Sequence, residues 1–288
     1  MDLSAIELQH EHSRDAYRRL AQEIRRLLDE DPDFPRRGLA LARSRYKRFP
    51  RLAEKLGDLE ASGVEIDGNN YADYVVDLLG IRYITLRPGD RHDVCEFIRA
   101  ALADGRLIKV RDRVVVSFGQ LPFDADYDNE TTELVAHEGG YTSVHFVVEL
   151  PAEVAERRGL TGLRAEIQVR TLLEEAWSEV DHRYRYEVER AGGRLPDYLS
   201  NAFTDLSHLL LSAARIQESL CSAADRYLGE LTDGEGAGRA GSPPDDLNAP
   251  VSVTEQREMR HVIDQRLSIA LSPEAVRLFE RLMLREFG

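Results

Sequence analysis

Apolar residues first recur at helical spacing, at Tyr17, Leu20, Ile24, Leu27 and Leu28 among Arg and Glu, and Asp31-Pro32 supplies a stop. The chain therefore opens on an amphipathic helix. DLLGIRYITL (77–86) then reads as a strand beginning just after Asp77, and RHDVCEFIRAAL (91–102) as the helix behind it. LIKVRDRVVVSF (107–118) predicts paired strands around a turn, whereas 119–138 has no period and many acids, the pattern of an exposed loop. Two alternating segments follow, GGYTSVHFVVEL (139–150) and LRAEIQVRT (163–171). A helix is predicted over 171–187, with Leu173, Ala176, Trp177, Val180 and Tyr184 as its buried stripe, and a longer one over 197–228. Residues 229–251, rich in Gly, Pro and Asp, have the composition of a flexible linker. Helix-start signals recur at Ser252-x-x-Glu255 and Ser272-Pro273. The expected layout is a body at 1–228, a linker at 229–251 and a helical tail at 252–288.

With 38 basic and 52 acidic residues the chain carries −14, which disfavours a general nucleic-acid or membrane-surface binder. One stretch opposes that balance. From Arg36 to Lys55, eight cations face Glu54 alone, a net of +7. Cys95 and Cys221 are far apart and without C-x-x-C spacing, so neither a disulfide framework nor a thiolate zinc site is expected. The N-terminus lacks a signal-peptide layout, and no run approaches bilayer length. A cytoplasmic protein with no membrane partner is the expectation.

Two motifs fail on context. Gly236-Ala-Gly238-Arg-Ala-Gly241 matches a dinucleotide fingerprint but lies in the linker, not between a strand and a helix. Glu179-x-x-His182 has the spacing of half a di-iron site, yet the same spacing recurs at Glu7/His10 and Glu258/His261 in a Glu-rich chain. His10 and His12 read most simply as solvated residues on the first helix.

The alternating segments carry the candidate chemistry. Tyr141, Ser143 and His145 share one side of the first, and Glu166, Gln168 and Arg170 one side of the second. Asp77 and Glu166, each at or on a strand with a polar neighbour row, suit Mg²⁺, which prefers oxygen ligands from one or two carboxylates plus substrate phosphates. The basic 36–55 stretch would meet those phosphates, and Tyr141 would stack on a base. Singly, each has a plainer explanation: Asp77 caps an element, Tyr141 fills the core, the cations form a solvated helix face. Their coincidence points to nucleotide phosphoryl-type transfer.

Four blocks resemble, in order and spacing, the synthetase domain of RelA/SpoT-type alarmone synthetases. They are Asp77-Leu-Leu-Gly80-Ile-Arg82, Gly140-Tyr141-Thr-Ser143-Val-His145, Glu166-Ile-Gln168-Val-Arg170-Thr171 and Ala176-Trp177-Ser-Glu179-Val-Asp181-His182 with Tyr186. Ser44-Arg45-Tyr-Lys47 with Lys55 resembles the basic motif upstream. The likeness runs from about 40 to 187. It implies an α+β fold, a nucleotidyltransferase-like mixed β-sheet flanked by helices, here with extra C-terminal helices. It further implies Mg²⁺-dependent transfer of pyrophosphate from ATP to the 3′-hydroxyl of GDP or GTP, releasing AMP. In that family the residue matching Asp77 binds Mg²⁺, and Glu166 matches the acid that completes the metal site or activates the hydroxyl. Tyr141 matches the ring that stacks on the acceptor guanine, and Arg45, Lys47 and Lys55 match cations around ATP. His145, Gln168, Arg170 and His182 match further nucleotide-pocket residues. The usual pattern has Arg at Thr142, Lys at His137 and at Glu187, and Ser at Arg51. Cations lost at 137, 142 and 187 leave the acceptor open between a guanine nucleotide, an adenine nucleotide and the 3′ end of tRNA. A non-catalytic nucleotide-binding regulator is the third reading, and the resemblance to small relatives carries an expectation of homo-oligomers.

Overall fold

The computed structural model describes residues 1–117, 132–137 and 142–234. By density of contacts the chain forms two compact units, Met1–Glu175 and Ala176–Gly288, with the division inside a helix.

The first unit opens on α1 (Leu3–Asp29), capped by Asp2, whose carboxylate accepts from the Ser4 and Ala5 amides. Its buried stripe is Ile6, His10, Tyr17, Leu20, Ala21, Ile24 and Leu28. His10 is thus part of the core, not a solvated residue: it lies four residues after Ile6 and seven before Tyr17, on the same face. The basic stretch forms a 3₁₀ turn (Arg36–Gly38), then β1 (Leu39–Tyr46) and α2 (Phe49–Ala61), whose Leu52 and Leu56 are buried. A single turn, α3 (Tyr71–Tyr74), precedes β2 (Leu79–Thr85), and α4 (Pro88–Ala103) returns across the sheet.

Residues 108–117 form one strand, β3 (Ile108–Ser117), in place of the expected hairpin. The irregularity there is a register shift between Lys109 and Arg111 against the neighbouring strand, and the chain does not turn back. Within the segment expected to be a loop lies β4 (Thr132–His137), paired parallel to β3 at the end of the sheet. An outermost strand needs no strong apolar alternation, which is why its pattern is silent. Then come β5 (Ser143–Glu149), α5 (Ala152–Arg158) and β6 (Ala165–Thr171).

Among the described residues the sheet has six strands in the order β1-β2-β6-β5-β3-β4. β2 and β6 run parallel at its centre, and β1 and β5 flank them antiparallel. Alternation gives the sheet two unlike faces. Ile81, Tyr83, Phe146, Ile167 and Val169 are buried on one. The helices cover that face: Tyr83 donates its hydroxyl to Asp29 of α1 at 2.5 Å, and Arg99 of α4 sits over the Phe146 ring. The other face carries the polar residues described below.

The second unit begins within α6 (Leu172–Asp181), which passes through a π-helical turn (His182–Tyr186) into α7 (Glu187–Arg190). The helix expected at 171–187 is therefore interrupted by the wider turn. α8 (Asp197–Gly234) extends six residues past the expected boundary at 228. The rest of the linker and the tail lie outside the described residues. No described helix is long and apolar enough to cross a membrane.

Candidate active site

The polar face is built by register. Arg43 of β1 lies opposite Arg82 of β2, Arg82 opposite Gln168 of β6, and Gln168 opposite His145 of β5. One rung therefore crosses four strands. In the next rung Arg45 lies opposite Gly80, and Gly80 opposite Glu166. A Cβ at Gly80 would meet only the Arg45 carbonyl oxygen within 4 Å, so the strand leaves a notch between Arg45 and Glu166.

Glu166, Gln168 and Arg170, which the period of two places on one side, form a connected row. Glu166 is buried, and its carboxylate accepts from His145 Nδ1–H at 3.0 Å and from Gln168 Nε2–H at 2.6 Å. The Gln168 carbonyl accepts from Arg170 at 2.7 Å and from Arg82 at 3.2 Å. Arg170 reaches Ser143 at 3.3 Å, which ties β5 to β6 on this face. Arg43, in the basic stretch, and Arg82, in the block after Asp77, are not singled out as site residues by the sequence, and Glu175 is not marked at all. All three join this face, because Glu175 at the start of α6 takes Arg82 at 2.7 Å, Arg170 at 3.0 Å and Arg43 as well. The signal that could have found the arginines is parity, of Arg43 with Arg45 along β1 and of Arg82 with Gly80 along β2.

Asp77 stands just before β2, at the same end as Glu166 on the adjacent parallel strand. Lys47 Nζ lies 2.7 Å from one Asp77 oxygen and Lys55 Nζ 2.8 Å from the other. Burial alone would raise this carboxyl, but the two ammonium groups outweigh it and hold Asp77 below the usual carboxylate range. Arg45 is exposed and lines an open cleft of about 860 Å³ between α1 and the outer edge of β1.

Six cations (Arg43, Arg45, Lys47, Lys55, Arg82, Arg170) thus accompany three carboxylates (Asp77, Glu166, Glu175) in a protein of net charge −14. That local excess suits a polyphosphate. Two of the predicted residues are described separately or not at all. Tyr141 lies outside the described residues, and His182 belongs to the second unit. There it is exposed on the π-helical turn and lines a cleft of about 480 Å³ with Glu179, Arg183 and Tyr184.

Among the described residues no three His, Cys, Asp or Glu side chains are grouped to hold a metal ion. Asp77 and Glu166 nonetheless fit Mg²⁺ in donor chemistry: one ionised carboxylate and one oriented by His145 and Gln168, at one end of two neighbouring strands. Two carboxylates, with phosphate oxygens and water completing the shell, form a usual Mg²⁺ site.

Residues 44–191 match the family model described as the region found in RelA / SpoT proteins. A GTP pyrophosphokinase of Bacillus subtilis (strain 168), YwaC, is 26% identical over 169 residues, which cover 58% of this chain and 68% of that protein. Among solved structures, small alarmone synthetase 1 of Bacillus subtilis superposes with a TM-score of 0.55 at 19% identity, covering 75% of this chain and 97% of that one. A GTP pyrophosphokinase family protein of Streptococcus pneumoniae gives 0.54 at 17% identity, covering 75% and 95%. These structures share the mixed sheet flanked by helices. The matched region takes in β2, β5 and β6, every strand that supplies the row around Glu166, and on that footing the chain belongs to the RelA/SpoT family.

Proposed function

We propose that this protein is a GTP diphosphokinase, which transfers pyrophosphate from ATP to the 3′-hydroxyl of GDP or GTP and makes guanosine tetra- or pentaphosphate and AMP. The observation that carries the reading is the cation-rich sheet face, where Asp77 between two lysines and Glu166 between His145 and Gln168 lie within the RelA/SpoT region. The named relatives support it: YwaC is a GTP pyrophosphokinase, and the matched structures include small alarmone synthetases.

In this reading the 3′-oxygen of the acceptor bonds to the β-phosphorus of ATP, and the bond from that phosphorus to the α,β-bridging oxygen breaks. AMP leaves with the bridging oxygen. Lys47, Lys55 and Arg45 neutralise the donor phosphates, and Arg43, Arg82 and Arg170 keep the face positive as charge gathers on the transferred oxygens. Asp77 and Glu166 would hold Mg²⁺, which supplies Lewis-acid polarisation of phosphoryl oxygens when bound. Glu166 also takes the proton of the 3′-hydroxyl, and His145 fixes the orientation of its carboxylate. Tyr141 would stack on the acceptor base.

Acceptor identity is tested with γ-labelled ATP offered with GDP, GTP, ATP or deacylated tRNA. Label on a guanine nucleotide is expected. Label on tRNA alone would make the protein a tRNA pyrophosphorylating relative, and no transfer at all a nucleotide-binding regulator.

A further inference from the structure

We infer that His10 is a positioning residue for this site, fixing the main chain at Lys47 and, through it, the Lys47–Asp77 pair. The inference rests on the proposed transfer only in its kinetic readout. His10 lies on α1, before the region matched by the family model. It is fully buried in a stripe otherwise made of Ile, Leu, Tyr and Ala. A polar ring there costs stability relative to an apolar one unless both nitrogens are satisfied.

Both are. Nε2 lies 2.8 Å from the Lys47 carbonyl oxygen, and Nδ1 2.7 Å from the Tyr46 hydroxyl. A carbonyl only accepts, so Nε2 carries the proton. Nδ1 of the neutral ring then faces the Tyr46 hydroxyl, whose one proton it shares with the His10 carbonyl oxygen, 2.8 Å from that hydroxyl. The two rings are stacked with centroids 4.3 Å apart and planes within 16°. Ser13 completes the arrangement, donating to the His10 carbonyl at 3.0 Å beside the Tyr46 hydroxyl at 2.9 Å. Burial holds the His10 ring below its usual pKa against the opposing pull of the Lys47 carbonyl, which agrees with a neutral tautomer.

The Lys47 peptide is thereby held on both sides. Its carbonyl takes His10, while its N–H donates to the carbonyl of Leu78, the neighbour of Asp77, at 2.8 Å. Its side chain grips Asp77 at 2.7 Å. A residue that served packing alone would need no donor aimed at this carbonyl. Leucine would serve.

The test uses the full chain with His10→Phe, which keeps a planar ring for the stack but no donor, His10→Gln, which restores an N–H donor, and Lys47→Met, alone and combined with His10→Phe. kcat and KM for ATP are measured at saturating GDP. Affinity for Mg²⁺ with α,β-methylene ATP is measured by calorimetry, and the thermal midpoint is followed throughout. His10→Phe is expected to lower kcat and analogue affinity, together on the order of tenfold. His10→Gln should recover most of that loss, and His10→Phe should add nothing in the Lys47→Met background. If His10→Phe fails to fold, His10→Leu, which likewise removes the donor to the Lys47 carbonyl, makes the same comparison. Unchanged kinetics and affinity, or a full additional loss on top of Lys47→Met, would overturn the inference. Calorimetry decides it even if no acceptor gains label, an outcome that would remove the functional reading alone.

Discussion

Asp77 keeps its charge because Lys47 and Lys55 each hold one of its oxygens, and that makes the pair a pH-dependent contribution to stability. A carboxyl held below its unfolded value stabilises fully above that value and loses the contribution as pH falls through the folded one. The thermal midpoints of wild type and Asp77→Asn are therefore expected to differ by a constant amount from neutral pH down to about 3.8, the carboxylate's ordinary value, and to converge only below it. Scanning the midpoint against pH checks this, and convergence already near pH 6 would assign the effect to another group. Glu166→Gln keeps the shape of the side chain but removes the proton acceptor, so kcat is expected to fall by about 10²- to 10⁴-fold. The row Glu166-Gln168-Arg170 is legible in the sequence because a strand's period is two. Glu175 is not. Three guanidiniums from three strands converge on it, and no local pattern on α6 encodes that. His10 misleads for a related reason: a histidine among charged neighbours looks solvated until the partners of its two nitrogens are known.

At the scale of elements, strands that bury one face announce themselves, and outer strands do not. β2, β5 and β6 show as alternation, whereas β4 reads as loop, and β1, whose residues are mostly exposed, passes as a run of cations. Packing between elements is equally hidden. Gly38 lies against Asp90 of α4, whose carboxylate accepts the Arg87 N–H at 3.2 Å and caps the helix. A Cβ at Gly38 would overlap that carboxylate, so Gly38→Ala is expected to cost about 1 kcal/mol or more. Gly57, inside α2, has nothing within 4 Å of the position a Cβ would take. Gly57→Ala should therefore stabilise by about 0.5–1 kcal/mol. Denaturant midpoints of the two variants should move in opposite directions, and movement in the same direction would contradict these packing assignments.

For the whole molecule, the charge distribution is the governing feature. A chain of net charge −14 places six cations on or beside the strands that carry its site. Attraction of a nucleoside triphosphate to such a site is screened by salt, with a Debye length of about 10 Å at 0.1 M. KM for ATP is expected to rise with ionic strength while kcat changes little, and initial rates across a salt series check it. Architecture at this scale is legible only through family resemblance, since spacing alone does not say which strands are neighbours. The division at Glu175 escapes the sequence for a physical reason: α6 continues through it, and an uninterrupted helical period carries no mark of where contacts thin. The central claim, that the face moves a pyrophosphate as one unit, is tested most directly by ³¹P NMR of the protein turning over ATP and GDP. Equimolar AMP and a new 3′-diphosphate are expected. Accumulation of ADP or inorganic phosphate without AMP would contradict it.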